Sequence, residues 1–367
     1  MESLYRVVRL ANLSFYAGDL EAAYLVLVDA QRLFKRMNNA KAIGVACNNL
    51  GVTMLAMYRE MQVEGVDSKF GVTRETLIKR GTICFQEAIQ LGEKAYDTFF
   101  EQEGWSPNCL DFMQQLSNRY FNRGMFLLTV KNDHAQPEEI EGLGFRDLEI
   151  SRDMDAEIES EGDQVGWGSV NRLQKLFDVR LVRIRGYLLL LGNGYSDDWE
   201  IDEKFEELFD MLGVESKKTR SDLFDEVNYV GRLQQAETEM MKYLLIKKEV
   251  AAAAKIAIRM LTEDEQAFLD AEATAIKVLQ EYIGCSDCKM DDATHEHVKE
   301  GLDDIMGDLS EYYNNRRHSV SSNHTRTHSV VFKSCRNLGK MNESKRSLTA
   351  RWSVSDNSGQ FVMMEQF

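Results

Sequence analysis

Apolar residues recur at helical spacing from the start of the chain. Leu4, Val7, Val8, Leu10, Ala11 and Phe15 fall three or four residues apart, which predicts an amphipathic helix over 4–17. Gly18 suits a helix stop and Asp19 a helix start, so Leu20–Met37 reads as a partner helix. Asn38-Asn39 turns the chain into a third helix, Ala40–Met61, where Gly44, Ala46 and Gly51 permit close packing. The pattern breaks at 62–72 and resumes at Thr73–Phe100. Further helical stretches follow at Leu110–Val130, Pro137–Ser160, Ser169–Leu191 and Trp199–Leu212, with Gly186 at an expected close-packing point. Ser221–Lys248, Glu249–Leu261, Glu263–Ile283 and Asp291–Tyr313 complete about twelve helices, or six hairpins. The reading is all-α, with a helical domain over 1–313.

Beyond residue 313 the period is lost. Residues 314–367 are rich in Ser, Asn, Arg and Thr, and such tracts cannot offset their ordering entropy by burial. This segment is expected to be a disordered tail. Composition sharpens the division. The formal charge of the chain is −16, but residues 313–367 carry nine Lys/Arg against three Asp/Glu, about +6. The remaining 312 residues are therefore near −22. An acidic body repels phosphates and argues against nucleic acid as a partner.

The strongest apolar run, Tyr187–Leu191, is too short to span a bilayer, and the N-terminus does not read as a signal peptide. Six cysteines in 367 residues suit free thiols in a reducing compartment, so a cytoplasmic protein without membrane insertion is expected. Only two prolines occur, Pro107 and Pro137, and Pro107 is suited to a helix start.

The Leu10-Ala11 pair returns forty residues later as Leu50-Gly51. With Gly18-Asp19-Leu20, Ala23, Leu27, Ala30 and Asn49-Leu50-Gly51, the pattern resembles the tetratricopeptide repeat. The period is longer than the usual 34 and is similar to the lengthened class of kinesin light chains. Val7 and Cys47 stand where the repeat usually has a large aromatic residue. The resemblance implies a right-handed α-solenoid whose first helix in each hairpin lines a concave groove. In that register Arg9, Asn12, Asn48, Asn49, Gln115, Asn118 and Asn122 face the groove, as a ladder of side-chain amides for the main chain of an extended peptide. The plainer alternative is a solvated polar face. A chaperone-type carboxylate clamp fits less well, because Val8 occupies the position where it needs a lysine.

Nothing in the sequence suggests catalysis. There is no G-x-x-x-x-G-K-[ST] phosphate loop and no G-x-S-x-G elbow, and acid pairs such as Asp197-Asp198 read as caps. No cofactor is expected. Cys285 and Cys288 with His295 and His297 offer a four-ligand set that zinc accepts. Against it, the spacing is short and His-x-His on a helix points its rings to different faces, so two turn cysteines and two exposed histidines are the simpler reading. In the tail, Arg316-Arg317-His318-Ser319 resembles the substrate motif of basophilic kinases, and Ser329 and Ser347 carry weaker versions. Two functions from different classes follow: a non-catalytic scaffold for a protein or peptide ligand, or a regulatory module of a signalling protein, controlled by tail phosphorylation, with its output domain on another chain.

Overall fold

The computed structural model describes residues 2–16, 18–167, 172–194, 199–212, 226–263, 269–284 and 299. Among them the chain is almost wholly helical: α1 (Glu2–Tyr16), α2 (Leu20–Arg36), α3 (Ala40–Glu64), α4 (Arg74–Glu103), α5 (Pro107–Val130), α6 (Pro137–Gly162), α7 (Arg172–Gly192), α8 (Trp199–Met211), α9 (Glu226–Ile246), α10 (Val250–Glu263) and α11 (Leu269–Gly284). They fall in two compact units that divide between Met211 and Leu212. The boundary expected at 313/314, the phosphorylation candidates Ser319, Ser329 and Ser347, and the possible zinc ligands Cys285, Cys288, His295 and His297 all lie outside the described residues.

Local chemistry sets the helix ends. Asp19 accepts a hydrogen bond from the Ala22 amide at 3.1 Å and caps α2, while Gly18 takes φ +77° behind α1. Asn39 caps α3 through the Ala42 amide at 3.1 Å, and Asn38 takes the left-handed turn before it at φ +53°. Ser106 caps α5 through the Cys109 amide at 3.2 Å, and Pro107 sits in the first turn. The segment between α3 and α4, which showed only breaks in sequence, contains a two-stranded hairpin: β1 (Ser68–Lys69) pairs antiparallel with β2 (Val72–Thr73). Phe70 and Gly71 turn it with φ of +57° and +68°. Both central residues at positive φ match the twist that two-residue hairpins require.

In the first unit each helix packs on its sequence neighbour. The odd-numbered helices also meet: α1 touches α3, α3 touches α5, and α5 touches α7. The spine is α3. It is long and apolar enough to cross a bilayer by length and composition, but 78% of that stretch is buried inside the protein. Small residues make its contacts possible. A Cβ on Gly51 would lie 2.5 Å from the Phe85 ring of α4; the contact of α4 with α5 depends on the same device, a Cβ on Gly81 falling 2.7 Å from Phe126. Gly186 differs from expectation: no described heavy atom lies within 4 Å of where its Cβ would sit.

Among the described residues the second unit has three helices, α9, α10 and α11. Here α11 packs on both α9 and α10. Ala253, Ala254 and Ala257 of α10 are fully buried, as are Met241 of α9 and Val278 and Tyr282 of α11. The alanines remove the bulk that would hold the helices apart. Arg259 of α10 pairs with the buried Glu237 of α9.

Candidate functional site

Asparagine has both a donor and an acceptor in its side chain, so a row of asparagines can satisfy itself. The first unit uses that capacity. Asn122 Nδ2 of α5 donates to Asn48 Oδ1 of α3 at 3.2 Å, and Asn48 Nδ2 donates to Asn49 Oδ1 at 3.2 Å. Asn49 Nδ2 in turn donates to Asn12 Oδ1 of α1 at 3.0 Å. The chain of amides therefore runs head to tail across three helices. Thr53 adds a bond to the Asn49 carbonyl at 2.8 Å, within α3.

The placement of these residues departs from the sequence expectation. Asn12, Asn48, Asn49 and Asn122 were expected on an open concave face, and all four are at most 1% exposed. Alanine and glycine at neighbouring positions bring α1, α3 and α5 close enough for the amides to bond one another rather than water. Gln115 and Asn118 are half-buried on α5, and Arg9 is exposed on α1. Among the described residues, the buried donor Asn12 Nδ2, at the α1 end of this row, and the buried acceptor Gln115 Oε1 of α5 lack a hydrogen-bond partner.

A second polar region lies between α5, α6 and α7, where sequence reasoning foresaw only an acidic helix. Arg123 grips Asp147 with two parallel bonds, Nε to Oδ2 at 2.6 Å and Nη2 to Oδ1 at 2.7 Å. Burial still holds the Asp147 carboxyl above its ordinary range against the pull of that guanidinium. Deeper in, the Ser117 hydroxyl lies 2.6 Å from Asp155 Oδ1 and 2.9 Å from the Ser151 hydroxyl. Desolvation raises the Asp155 carboxyl to about 8; the Ser117 bond and the charge of Arg183 oppose the rise, and Glu159 adds to it. Arg183 and Arg180 of α7 both bond Glu159 of α6, at 2.8 and 2.6 Å.

Arg119 is a third buried polar group. Its guanidinium reaches between α3 and α4, where Gly44 and Gly92 leave the space, and Nη1 donates to the Ala88 carbonyl at 2.5 Å. Among the described residues no carboxylate pairs with it, and burial lowers its pKa to about 10. The sequence did hold a signal for these groups. Arg119 falls three residues after the buried Leu116, and Ser151 and Asp155 lie between Leu148 and Ile158 on one apolar stripe. Polar residues at core register mark buried polar networks.

Among the described residues no cluster of His, Cys, Asp and Glu could hold a metal ion. Comparison with protein-family models finds none that matches the chain. Comparison with curated proteins finds none similar enough to count as a relative.

Proposed function

We propose that the first unit is a right-handed solenoid of tetratricopeptide-like hairpins, and that the protein is a non-catalytic cytoplasmic scaffold for an extended segment of another protein. The packing of α1 on α3, α3 on α5 and α5 on α7 supports stacked hairpins, since in such arrays each hairpin touches only its neighbours. The observation that carries the ligand is a pair of unmatched buried atoms, one at the α1 end of the amide row and one on α5. Asn12 Nδ2 is a donor over, and Gln115 Oε1 is an acceptor over. A peptide main chain supplies one carbonyl and one N–H, and an extended strand presents both at intervals along its length. Both protein atoms are closed off from solvent, so a ligand reaches them as the covering side chains part.

The test uses the full chain on an array of extended peptides, followed by titration of the tightest binder. Replacing Gln115 by Leu, or N-methylating the peptide amide that meets it, is expected to cost about 0.5–1.5 kcal/mol of binding, up to roughly ten-fold in Kd. Asn12→Ala is expected to do the same with helicity retained. An array without a binder, or a binder indifferent to both the N-methyl scan and Gln115→Leu, overturns the reading.

A further inference from the structure

Two of the three described cysteines face each other across the α3–α4 contact. Cys47 of α3 and Cys84 of α4 are free thiols, and Glu87, one turn after Cys84 on α4, reaches to within 3.4 Å of the Cys47 thiol, which places both cysteines at one α3–α4 contact. Cys47 is fully buried and Cys84 is 8% exposed, so only Cys84 approaches the surface. Polar groups converge on the pair from α2 and α4. Gln31 of α2 donates to Cys47 Sγ at 3.0 Å, and the Cys47 thiol lies 3.4 Å from Glu87 Oε2 of α4. Lys35 of α2 holds Glu87 at 2.8 Å. Arg80, one turn before Cys84, bonds the Tyr24 hydroxyl. A hydrophobic core has no use for a carboxylate and an amide aimed at a thiol, and a structural cysteine needs none of them.

The two thiols differ in reactivity. The neighbouring Cys47 thiol favours the thiolate at Cys84 and lowers its pKa; burial and Glu87 oppose this, and Lys35 and Arg80 assist it. Cys47 is pushed strongly up by the neighbouring Cys84 and by burial. The pair thus holds one nucleophile near the surface and one protonated thiol behind it.

We propose that Cys47 and Cys84 are an oxidation site for hydroperoxides, closing to a disulfide that ties α3 to α4. The Cys84 thiolate attacks the outer oxygen of the peroxide and the O–O bond breaks. The leaving alkoxide, or hydroxide from hydrogen peroxide, takes a proton from solvent, and Cys84 becomes a sulfenic acid. Glu87 then takes the Cys47 proton and Gln31 donates to the sulfur left behind. Cys47 attacks the Cys84 sulfur, the S–S bond forms, and the sulfenic oxygen departs as water with the proton from Glu87. Two thiols are oxidised, and one peroxide is reduced to an alcohol, or to water, plus a second water. A dithiol reductant reverses the step.

The test treats the reduced full-length chain with hydrogen peroxide, blocks remaining thiols under denaturing conditions and maps the peptides. The expected product is a Cys47–Cys84 cross-linked peptide, lighter by two hydrogens than the reduced pair and lost again with dithiothreitol. Cys109, whose thiol is buried and held protonated, is the internal control and stays reduced. In Cys47→Ser, a dimedone adduct accumulates on Cys84; in Cys84→Ser, none forms on Cys47. Glu87→Gln is expected to accumulate the Cys84 sulfenic acid, trapped by dimedone, and to close it to the disulfide at least about ten-fold more slowly than wild type. Loss of Cys47 and Cys84 no faster than Cys109 in the wild-type chain, or a first adduct on Cys47, overturns the proposal.

Discussion

The first unit buries polar groups in two ways, and α5 takes part in both. Toward α1 and α3 it contributes Asn122 to a row of neutral amides; toward α6 and α7 it contributes Ser117 and Arg123 to a charged interior. The amides satisfy one another because each donates and accepts, so no counter-ion has to be desolvated with them. A carboxylate only accepts. Asp147 therefore requires Arg123, and Asp155, which has a hydroxyl in place of a cation, keeps its proton near neutrality. A buried amide row is indifferent to pH, and a buried acid cluster is not.

That contrast is sharpest at Asp155. Its folded pKa, about 8, is above the ordinary carboxyl value near 3.8, so the folded chain holds a proton that the unfolded chain has released. Stability from this group is then complete below about pH 4 and lost as pH rises toward 8, at about 1.4 kcal/mol per unit. Over that window the loss is roughly 6 kcal/mol. Asp155→Asn is expected to flatten this slope in urea unfolding at several pH values. An unchanged slope would remove the acid from the contrast.

Next in size is the ion pair. Arg123→Ala strands Asp147 in the interior and is expected to cost about 3–5 kcal/mol. The double change Arg123→Met with Asp147→Leu should recover most of that loss, because buried pairs are often replaceable by apolar groups. Thermal melts of the single and double variants decide it.

The amide row should yield less. Asn48→Ala removes the acceptor of Asn122 and a donor to Asn49, at about 1–3 kcal/mol, with the same penalty at pH 5 and pH 8. A penalty that changes with pH would show that the two regions are coupled. Smallest is Asn118→Ala on the half-buried side of α5, expected within about 0.5 kcal/mol of wild type in the same assay.

The helices were legible in the sequence because their ends are written in local chemistry. Gly18-Asp19, Asn38-Asn39 and Ser106-Pro107 act through backbone angles and capping bonds that depend on a few neighbouring residues. The β1–β2 hairpin was not, since two-residue strands have no period to detect. The asparagines were identified, but their burial was not, because exposure depends on how closely three separate helices approach. The same limit hid the pairing of Cys47 with Cys84 and of Ser117 with Asp155, each made by residues distant in sequence. Asp155 and Arg119 could have been found as charges at core register; the partners they meet there could not.

The Asn122–Asn48 bond also orders events during synthesis. Its two residues are 74 apart, and at about 5–20 residues per second the ribosome takes roughly 4–15 s to cover that distance. Throughout that interval α3 has left the exit tunnel ahead of α5, and the α3 surface that α5 will cover faces water or whatever else is at hand. This long, apolar helix is thus made before α4 and α5, which cover it. In the growing chain, α3 is a segment on which a nascent-chain chaperone has seconds in which to act.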